Sequence, residues 1–311
     1  MNIDKNKVFY LMGPTASGKT NLSLELSRHI PLEVVSVDSA MVYKGLDIGS
    51  AKPTLEEMLG VPHHLIDVCD PTDLYSVGQF RRDALTKIEE IFSRDKIPLL
   101  VGGTMMYFKV LQQGISNLPK SDENVRAKIE DEKSRVGLEG LLDRLKKIDP
   151  KSAKKLKPGD SQRIQRALEV YELTGQTLTE LQIKSPPEKI PYEGVNIILS
   201  PSNIGIVRKN IKKRFDEMLR LGFIEEVEGL RKREDLHLGL PSMRTVGYRQ
   251  IWQYLSGEIS YERMLELVPI TTGQLAKRQL TWLRRWNDAN WFDSDDLDLV
   301  SRVIGCLEER M

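Results

Sequence analysis

The chain has 311 residues, 40% hydrophobic and 29% charged, enough apolar sequence for one large domain or two, which excludes a disordered or fibrous chain. Forty-six basic against 45 acidic residues leave a net charge of +1, so bulk charge does not announce a nucleic-acid binder. Two cysteines, Cys69 and Cys306, exclude a disulfide framework and a Cys-only metal site. No apolar run approaches the roughly 20 residues of a membrane span, and the polar start from Met1 to Lys7 fits no signal peptide. These features predict a cytoplasmic protein with no membrane partner.

In chain order, 8–12 is a short apolar run that meets a Gly-rich turn, 21–30 reads as a helix, and 32–37 (LEVVSV) as a second buried strand ending at Asp38-Ser39. A strand at 65–68, a helix over 77–92 and a strand at 97–101 continue the alternation, which predicts a parallel sheet with helices on both faces. After Pro119-Lys120-Ser121 the sequence is helical and charged, with Ser121 as N-cap, and no strand candidate returns until 195–199. The expected organisation is an α/β core over 1–119, a helical insertion over 120–190 joined back by the proline-rich 184–191, and the rest of the core over 191–311. Beyond 203 the chain reads as mostly helical, with breaks at Leu221-Gly222 and at 238–241 and a last short strand at Trp291-Phe292.

Gly13-Pro14-Thr15-Ala16-Ser17-Gly18-Lys19-Thr20 matches G-x-x-x-x-G-K-[ST] and sits after a strand and before a helix, as a phosphate loop requires. Its glycines let backbone N–H groups converge on an anion, Lys19 adds a charge, and the Thr20 hydroxyl is suited to Mg²⁺. The loop predicts a bound phosphate or diphosphate, as in nucleotide- and ATP-binding proteins, and leaves the reaction open. Asp38 ends the second strand at the edge where open α/β sheets bind ligands, as general base, metal partner or plain turn cap. Gly102-Gly103-Thr104 follows a later strand, with room for close backbone approach to a ligand and a hydroxyl directed at it, or with Thr104 as an ordinary N-cap.

The charge is unevenly placed. Residues 143–166 carry nine basic and three acidic side chains, whereas 288–311 carry seven acidic and two basic ones. On a helix over 274–286 (QLAKRQLTWLRRW), Lys277, Thr281 and Arg284 share one face, Ala276, Leu280 and Leu283 an apolar one, and Arg278, Trp282 and Arg285 a third. Basic residues interleaved with tryptophan suit phosphate contacts and base stacking, and equally suit an amphipathic helix with core tryptophans.

Taken together, 13–20, 37–53 (VDSAMVYKGLDIGSAKP), 62–67 (PHHLID), 101–109 (VGGTMMYFK), 162–181, 244–250 (RTVGYRQ) and 276–286 (AKRQLTWLRRW) resemble the tRNA dimethylallyltransferase (tRNA isopentenyltransferase) family over nearly the whole chain. The resemblance implies a phosphate-loop α/β fold and transfer of a dimethylallyl group from dimethylallyl diphosphate, with Mg²⁺, to N6 of the adenosine at tRNA position 37, beside the anticodon. It implies Asp38 as general base, Thr104 on the oxygen bridging the allyl group and the diphosphate, Gly13 to Thr20 with Arg214 around the diphosphate, and Thr20 on the metal. It also implies contacts to the anticodon stem-loop from Asp38, Ser39, Ala40, Met41, Thr104 and Arg126. Further contacts are implied from Gln162, Arg163, Ile164, Gln165 and Arg166, from Arg244, Thr245, Val246, Gly247, Tyr248 and Arg249, and from Lys277, Arg278, Gln279, Leu280, Thr281, Trp282, Leu283 and Arg284. Gly273 and Asn210 depart from the family, which often has Arg at both places. A monomer suffices for all of this. The alternatives are a kinase of a nucleotide or small metabolite, from the phosphate loop and Asp38 alone, or a non-enzymatic RNA-binding protein switched by a nucleotide.

Overall fold

The computed structural model describes residues 4–310; the reading of the N-terminal segment falls, for Met1, Asn2 and Ile3, outside the described residues. β1 (Lys7–Met12), α1 (Lys19–Ser27), β2 (Leu32–Val37), β3 (His63–His64), α2 (Val77–Ser93), β4 (Ile97–Gly102) and α3 (Met105–Gln113) open the chain. Four helices follow, α4 (Glu123–Ile148), α5 (Pro150–Ala153), α6 (Ser161–Thr174) and α7 (Leu178–Lys184). β5 (Glu193–Ser200), α8 (Ile204–Arg220), α9 (Phe223–Arg231), α10 (Tyr248–Leu255), α11 (Tyr261–Leu283), β6 (Ala289–Asp293) and α12 (Leu299–Glu308) complete it.

The strands form one parallel sheet in the order β3-β2-β4-β1-β5-β6. A parallel sheet needs cover on both faces. Phe9, Leu11, Leu99 and Ile197 on one face pack with Leu22 and Leu26 of α1 and Val303 and Leu307 of α12. α2 and α3 meet through Phe80 and Tyr107, whose rings stack at 4.2 Å. Every residue of β2 is buried, including Glu33. That carboxylate is tolerated because it takes hydrogen bonds from Arg94 at 2.9 and 2.7 Å and contacts His64 Nε2 at 2.7 Å.

The sequence reading needs three corrections. The strand expected at 65–68 is instead the two-residue β3, because Leu65 (φ 61°) and Asp67 (φ 55°) are left-handed and cannot continue an extended ladder. Asp122, not Ser121, caps α4 by accepting from Val125 N, while the Ser121 hydroxyl donates to Glu169 at 2.5 Å. The basic-aromatic helix begins at Tyr261, carries Pro269 internally and ends at Leu283.

The chain divides into two compact units, one of residues 1–112 and 191–311, the other of residues 113–190. In the second unit, α4 is kinked at Gly137 (φ 72°, ψ 174°), and Ile129, Leu141, Leu145, Ile164 and Leu168 form its core. Buried Glu169 accepts from Ser121 Oγ, from Asp122 N at 3.0 Å, from Arg126 Nε at 3.1 Å and from Arg166 Nη1 at 2.6 Å. These bonds hold its carboxyl below the usual range against the opposing effect of burial. Of the basic run over 143–166, Arg144 pairs with Glu132 and Glu172, Lys146 with Asp143 and Arg163 with Asp160. Lys147, Lys151, Lys154, Lys155 and Lys157 stay exposed and unpaired among the described residues.

Strand ends set the positions of the functional loops. At the C-terminal end of β4, a Cβ on Gly102 would lie 2.1 Å from the Val37 carbonyl oxygen, so β2 and β4 approach as glycine alone permits. Gly102→Ala is therefore expected to destabilise the fold by about 1–3 kcal/mol, the usual cost of overpacking, and to displace the segment after Val37. Urea unfolding checks the first effect, and a stability equal to wild type would refute the strand-contact argument.

Candidate active site

The C-terminal ends of β1, β2 and β4 open into a cavity of about 450 Å³, of the size that small phosphorylated ligands occupy. The phosphate loop follows β1. A Cβ on Gly13 would lie 2.3 Å from the Leu199 carbonyl oxygen of β5, so the turn must begin with glycine. Ala16 (φ 61°) and Gly18 (φ 85°) are left-handed, which curls the loop before α1. A left-handed alanine carries strain of the kind that accumulates at functional sites. Asn210 of α8 donates to the Ala16 carbonyl at 3.4 Å, so this departure from the family pattern braces the loop.

Lys19 donates to the Pro14 carbonyl at 2.6 Å and to Ser17 Oγ at 3.4 Å, with no ion pair among the described residues. Burial and the like charge of Arg214 lower its pKa to about 7, against the opposing pull of Asp38. Arg214, from α8, lines the same cavity and reaches the Ser50 carbonyl at 3.4 Å; burial lowers its pKa too, and a guanidinium stays charged regardless. Two cations thus face one cavity with too little negative charge between them, an arrangement suited to an anion.

Asp38 and Thr104 stand across the same space. Asp38 Oδ1 accepts from Ala40 N at 2.8 Å and Met41 N at 3.4 Å, so it does cap the turn, while Oδ2 has no hydrogen bond among the described residues. Thr104 Oγ1 accepts from Ser39 N at 3.1 Å and makes a long 3.4 Å contact to Ser39 Oγ. Its own N–H donates to the Val37 carbonyl at 3.2 Å. The loop bearing the carboxylate and the loop bearing the hydroxyl therefore hold each other. The Thr20 hydroxyl also lines the cavity and has no protein hydrogen bond among the described residues. Among the described residues no group of three or more His, Cys, Asp or Glu side chains stands close enough to hold a metal ion.

Gln279, which the resemblance implies as an RNA contact, lines the cavity and is buried between the loop of Thr15 and that of Gly103. Its Oε1 accepts from Thr15 N at 2.9 Å, and its Nε2 donates to the Gly103 carbonyl at 2.9 Å. A Cβ on Gly103 would meet that Nε2 at 2.4 Å, which explains the second glycine. The sequence did hold a signal: Ala276, Gln279, Leu280 and Leu283 form one helical stripe, and an amide in a buried stripe must find partners. Glu226 was not foreseen at all. Its carboxylate accepts from Asp47 N at 3.1 Å, Ile48 N at 2.7 Å, Gly49 N at 3.2 Å and Tyr248 OH at 2.6 Å, fixing the loop that carries Ser50 to Arg214.

The remaining expected RNA contacts separate by burial. Ser39, Ala40, Met41, Thr245, Val246, Gly247, Arg278 and Trp282 line the cavity, and Lys109 Nζ lies 5.8 Å above the Trp282 ring. Arg244 and Arg249 are exposed beside them in sequence, Arg244 Nε donating to the Leu238 carbonyl at 3.1 Å. Lys277, Leu280, Thr281 and Arg284 line a different cleft. Ile164, Tyr248 and Leu283 have no exposed side chain and cannot offer a surface: Ile164 and Leu283 are core, and Tyr248 braces Glu226. In the helical unit Gln162 and Arg163 are exposed, Gln165 donates to the Arg126 carbonyl at 3.4 Å, and Arg166 also donates to the Pro119 carbonyl at 2.5 Å.

Fold and site define a phosphate-loop α/β protein with a small-molecule cavity at the C-terminal sheet edge. A family model described as IPP transferase matches residues 41–286, and the chain belongs to that family. A relative named tRNA dimethylallyltransferase, from Coxiella burnetii, is 55% identical over 298 residues, covering 96% of each chain. The full-length tRNA isopentenylpyrophosphate transferase of Bacillus halodurans superposes with a TM-score of 0.70 at 36% identity, covering 98% of each chain. A eukaryotic dimethylallyltransferase described as acting on tRNA gives a TM-score of 0.84 at 26% identity, over 98% of this chain and 79% of that one.

Two outcomes follow from this geometry. Gln279→Leu removes both bonds between the loops and is expected to weaken inorganic diphosphate binding roughly tenfold, about 1.4 kcal/mol, by calorimetry; unchanged affinity would show that the loops hold their places without it. The depressed Lys19 pKa also gives stability a pH signature. Between about 7 and the ordinary 10.5 the folded state binds fewer protons at Lys19 than the unfolded state, so this residue's contribution becomes more favourable as pH rises and is constant below about 7. The stability of wild type relative to Lys19→Met should therefore rise across that window in urea unfolding, and parallel profiles would refute the buried-cation reading.

Proposed function

We propose that the protein transfers the dimethylallyl group of dimethylallyl diphosphate to N6 of the adenosine at tRNA position 37, next to the anticodon, releasing diphosphate. It is a tRNA dimethylallyltransferase, in keeping with its family and with relatives that match nearly its whole length. The observation that carries the reaction is the meeting of Lys19, Arg214, Asp38 and Thr104 in one cavity. The kinase alternative finds no support among these relatives.

The N6 lone pair attacks the allylic C1 as the C1–O bond breaks, and the bonding electrons leave with the diphosphate. Lys19 and Arg214 bind that leaving group, and binding raises the Lys19 pKa back towards its ordinary value, so the cation is charged when negative charge develops. The Thr104 hydroxyl, held by Ser39 N and only loosely engaged with Ser39 Oγ, turns to the bridging oxygen. Asp38 Oδ2 takes the proton released from N6, while Oδ1 keeps the turn in place. An aromatic amine is a weak nucleophile, so orientation contributes as much as proton removal. The unpartnered Thr20 hydroxyl fits Mg²⁺, a cation that takes few protein ligands and completes its shell with substrate phosphates and water. When bound, Mg²⁺ supplies further charge neutralisation on the diphosphate.

The target base leaves the anticodon stack to enter the cavity, at a cost of a few kcal/mol. Ser39 to Met41, Arg244 to Gly247, Arg249 and Arg278 with Trp282 meet the loop around it. The helical unit, with its five unpaired lysines, clasps the anticodon stem through backbone phosphates. A single cytoplasmic chain carries every residue this scheme uses.

The test is incubation with Mg²⁺, dimethylallyl diphosphate and unmodified tRNA, followed by nucleoside mass analysis. A dimethylallyl increment on adenosine is expected; its absence, with phosphate released from ATP and a small acceptor, would restore the kinase. Asp38→Ala is expected to lower transfer by at least about 100-fold while keeping tRNA binding. Transfer at the wild-type rate would remove Asp38 from the proton transfer.

A further inference from the structure

A second cleft, of about 1410 Å³, lies between α8 and α11 and is bordered by β6. It exceeds the roughly 300–1000 Å³ of small-molecule sites. It backs onto the phosphate loop through a thin apolar wall in which Val207, Ile211 and Ala276 pack with Ala16. Ile211 lines both spaces.

The charge on this cleft is one-sided. Arg208 and Lys212 of α8, Lys277 of α11 and Arg284 just beyond its last turn line it, all exposed, and none has an ion-pair partner among the described residues. Lys209 and Lys213 extend the basic face along α8, where Asp216 is the acidic neighbour. Asp293 also borders the cleft, but its Oδ1 accepts from Ser202 N at 3.3 Å and Asp295 N at 3.0 Å. The same cleft is lined by two exposed apolar side chains, Trp291 at 46% and Ile270 at 53% exposure. A chain with net charge +1 does not place unpaired cations around exposed apolar groups without cost, because like charges repel and apolar surface stays wet.

The arrangement differs from the catalytic cavity, where Lys19 and Arg214 line one small space suited to a single anion. Here the cations are strung along two helices, with apolar faces among them. That spacing matches a chain of repeating phosphates and bases. Resting on the transferase reading, we propose that the cleft between α8 and α11 binds a single-stranded segment of the tRNA substrate, with phosphates on Arg208 and Lys212 as well as on α11, and a base against Trp291. α8 is thereby a two-sided element, holding Arg214 on the diphosphate and Arg208 with Lys212 on RNA.

The experiment uses the full chain carrying Arg208→Ala and Lys212→Ala together, with tRNA binding followed by fluorescence anisotropy over a series of KCl concentrations. Because both residues are exposed, the thermal midpoint serves as a check that the fold is intact. Loss of two single-strand phosphate contacts should reduce the slope of log K against log salt by about 1.4 in magnitude, at about 0.7 per contact. The KM for tRNA should rise while that for dimethylallyl diphosphate holds. Trp291→Ala should weaken tRNA binding without changing the slope, as expected of stacking. A wild-type slope in the double variant overturns the proposal and leaves the transferase reading standing. A raised KM for dimethylallyl diphosphate alone also overturns it, by making the cleft a path for the small substrate. Failure of the wild-type chain to bind or modify tRNA removes the transferase reading, and this inference with it.

Discussion

The structure depends on two cations, Lys19 and Arg214, that line one cavity without matching negative charge. Placing them there opposes folding, as the depressed pKa of both groups expresses. The rest of the fold supports that arrangement. The parallel sheet brings three strand ends to one edge, and glycines at positions 13 and 102 let the following loops approach neighbouring backbone directly. Glu226 fixes the loop that receives Arg214, and Gln279 joins the phosphate loop to the loop of Thr104. Under the proposed reaction, the unfavourable electrostatics of the free protein would become binding energy for an anionic leaving group.

The same logic explains why a phosphate loop serves a reaction that requires no nucleoside triphosphate. The loop supplies backbone amides, one lysine and one hydroxyl, which recognise a diphosphate whatever it is attached to. Other elements line the same cavity: Asp38 at the end of β2, Thr104 before α3, and the face of α11 that carries Arg278 and Trp282. α11 and α8 each present one side to the catalytic cavity and another to the basic cleft. A shift in either helix is therefore positioned to change both spaces.

Much of this was legible in the sequence because it is local. The phosphate loop is contiguous, its strand and helix flank it directly, and Asp38 and Thr104 each sit immediately beyond a buried apolar run. Features that depend on distant partners were not. A motif read in one dimension does not say which of its residues face outwards, so Ile164, Tyr248 and Leu283 were read as RNA contacts although they are buried. Glu226 lies among several glutamates of one helix, and what singles it out are the amides of residues 47–49, far away in sequence. The strand expected at 65–68 failed because an apolar run shows hydrophobicity but not the left-handed backbone at Leu65 and Asp67.

The most direct test of the central claim is a crystal structure of the protein soaked with inorganic diphosphate. The account predicts a diphosphate between Lys19 Nζ and the Arg214 guanidinium, within the curl of residues 13–20, with Lys19 released from the Pro14 carbonyl. A diphosphate bound only elsewhere, or a loop that stays free of it with Lys19 still on Pro14, would contradict the claim that these two cations await this leaving group.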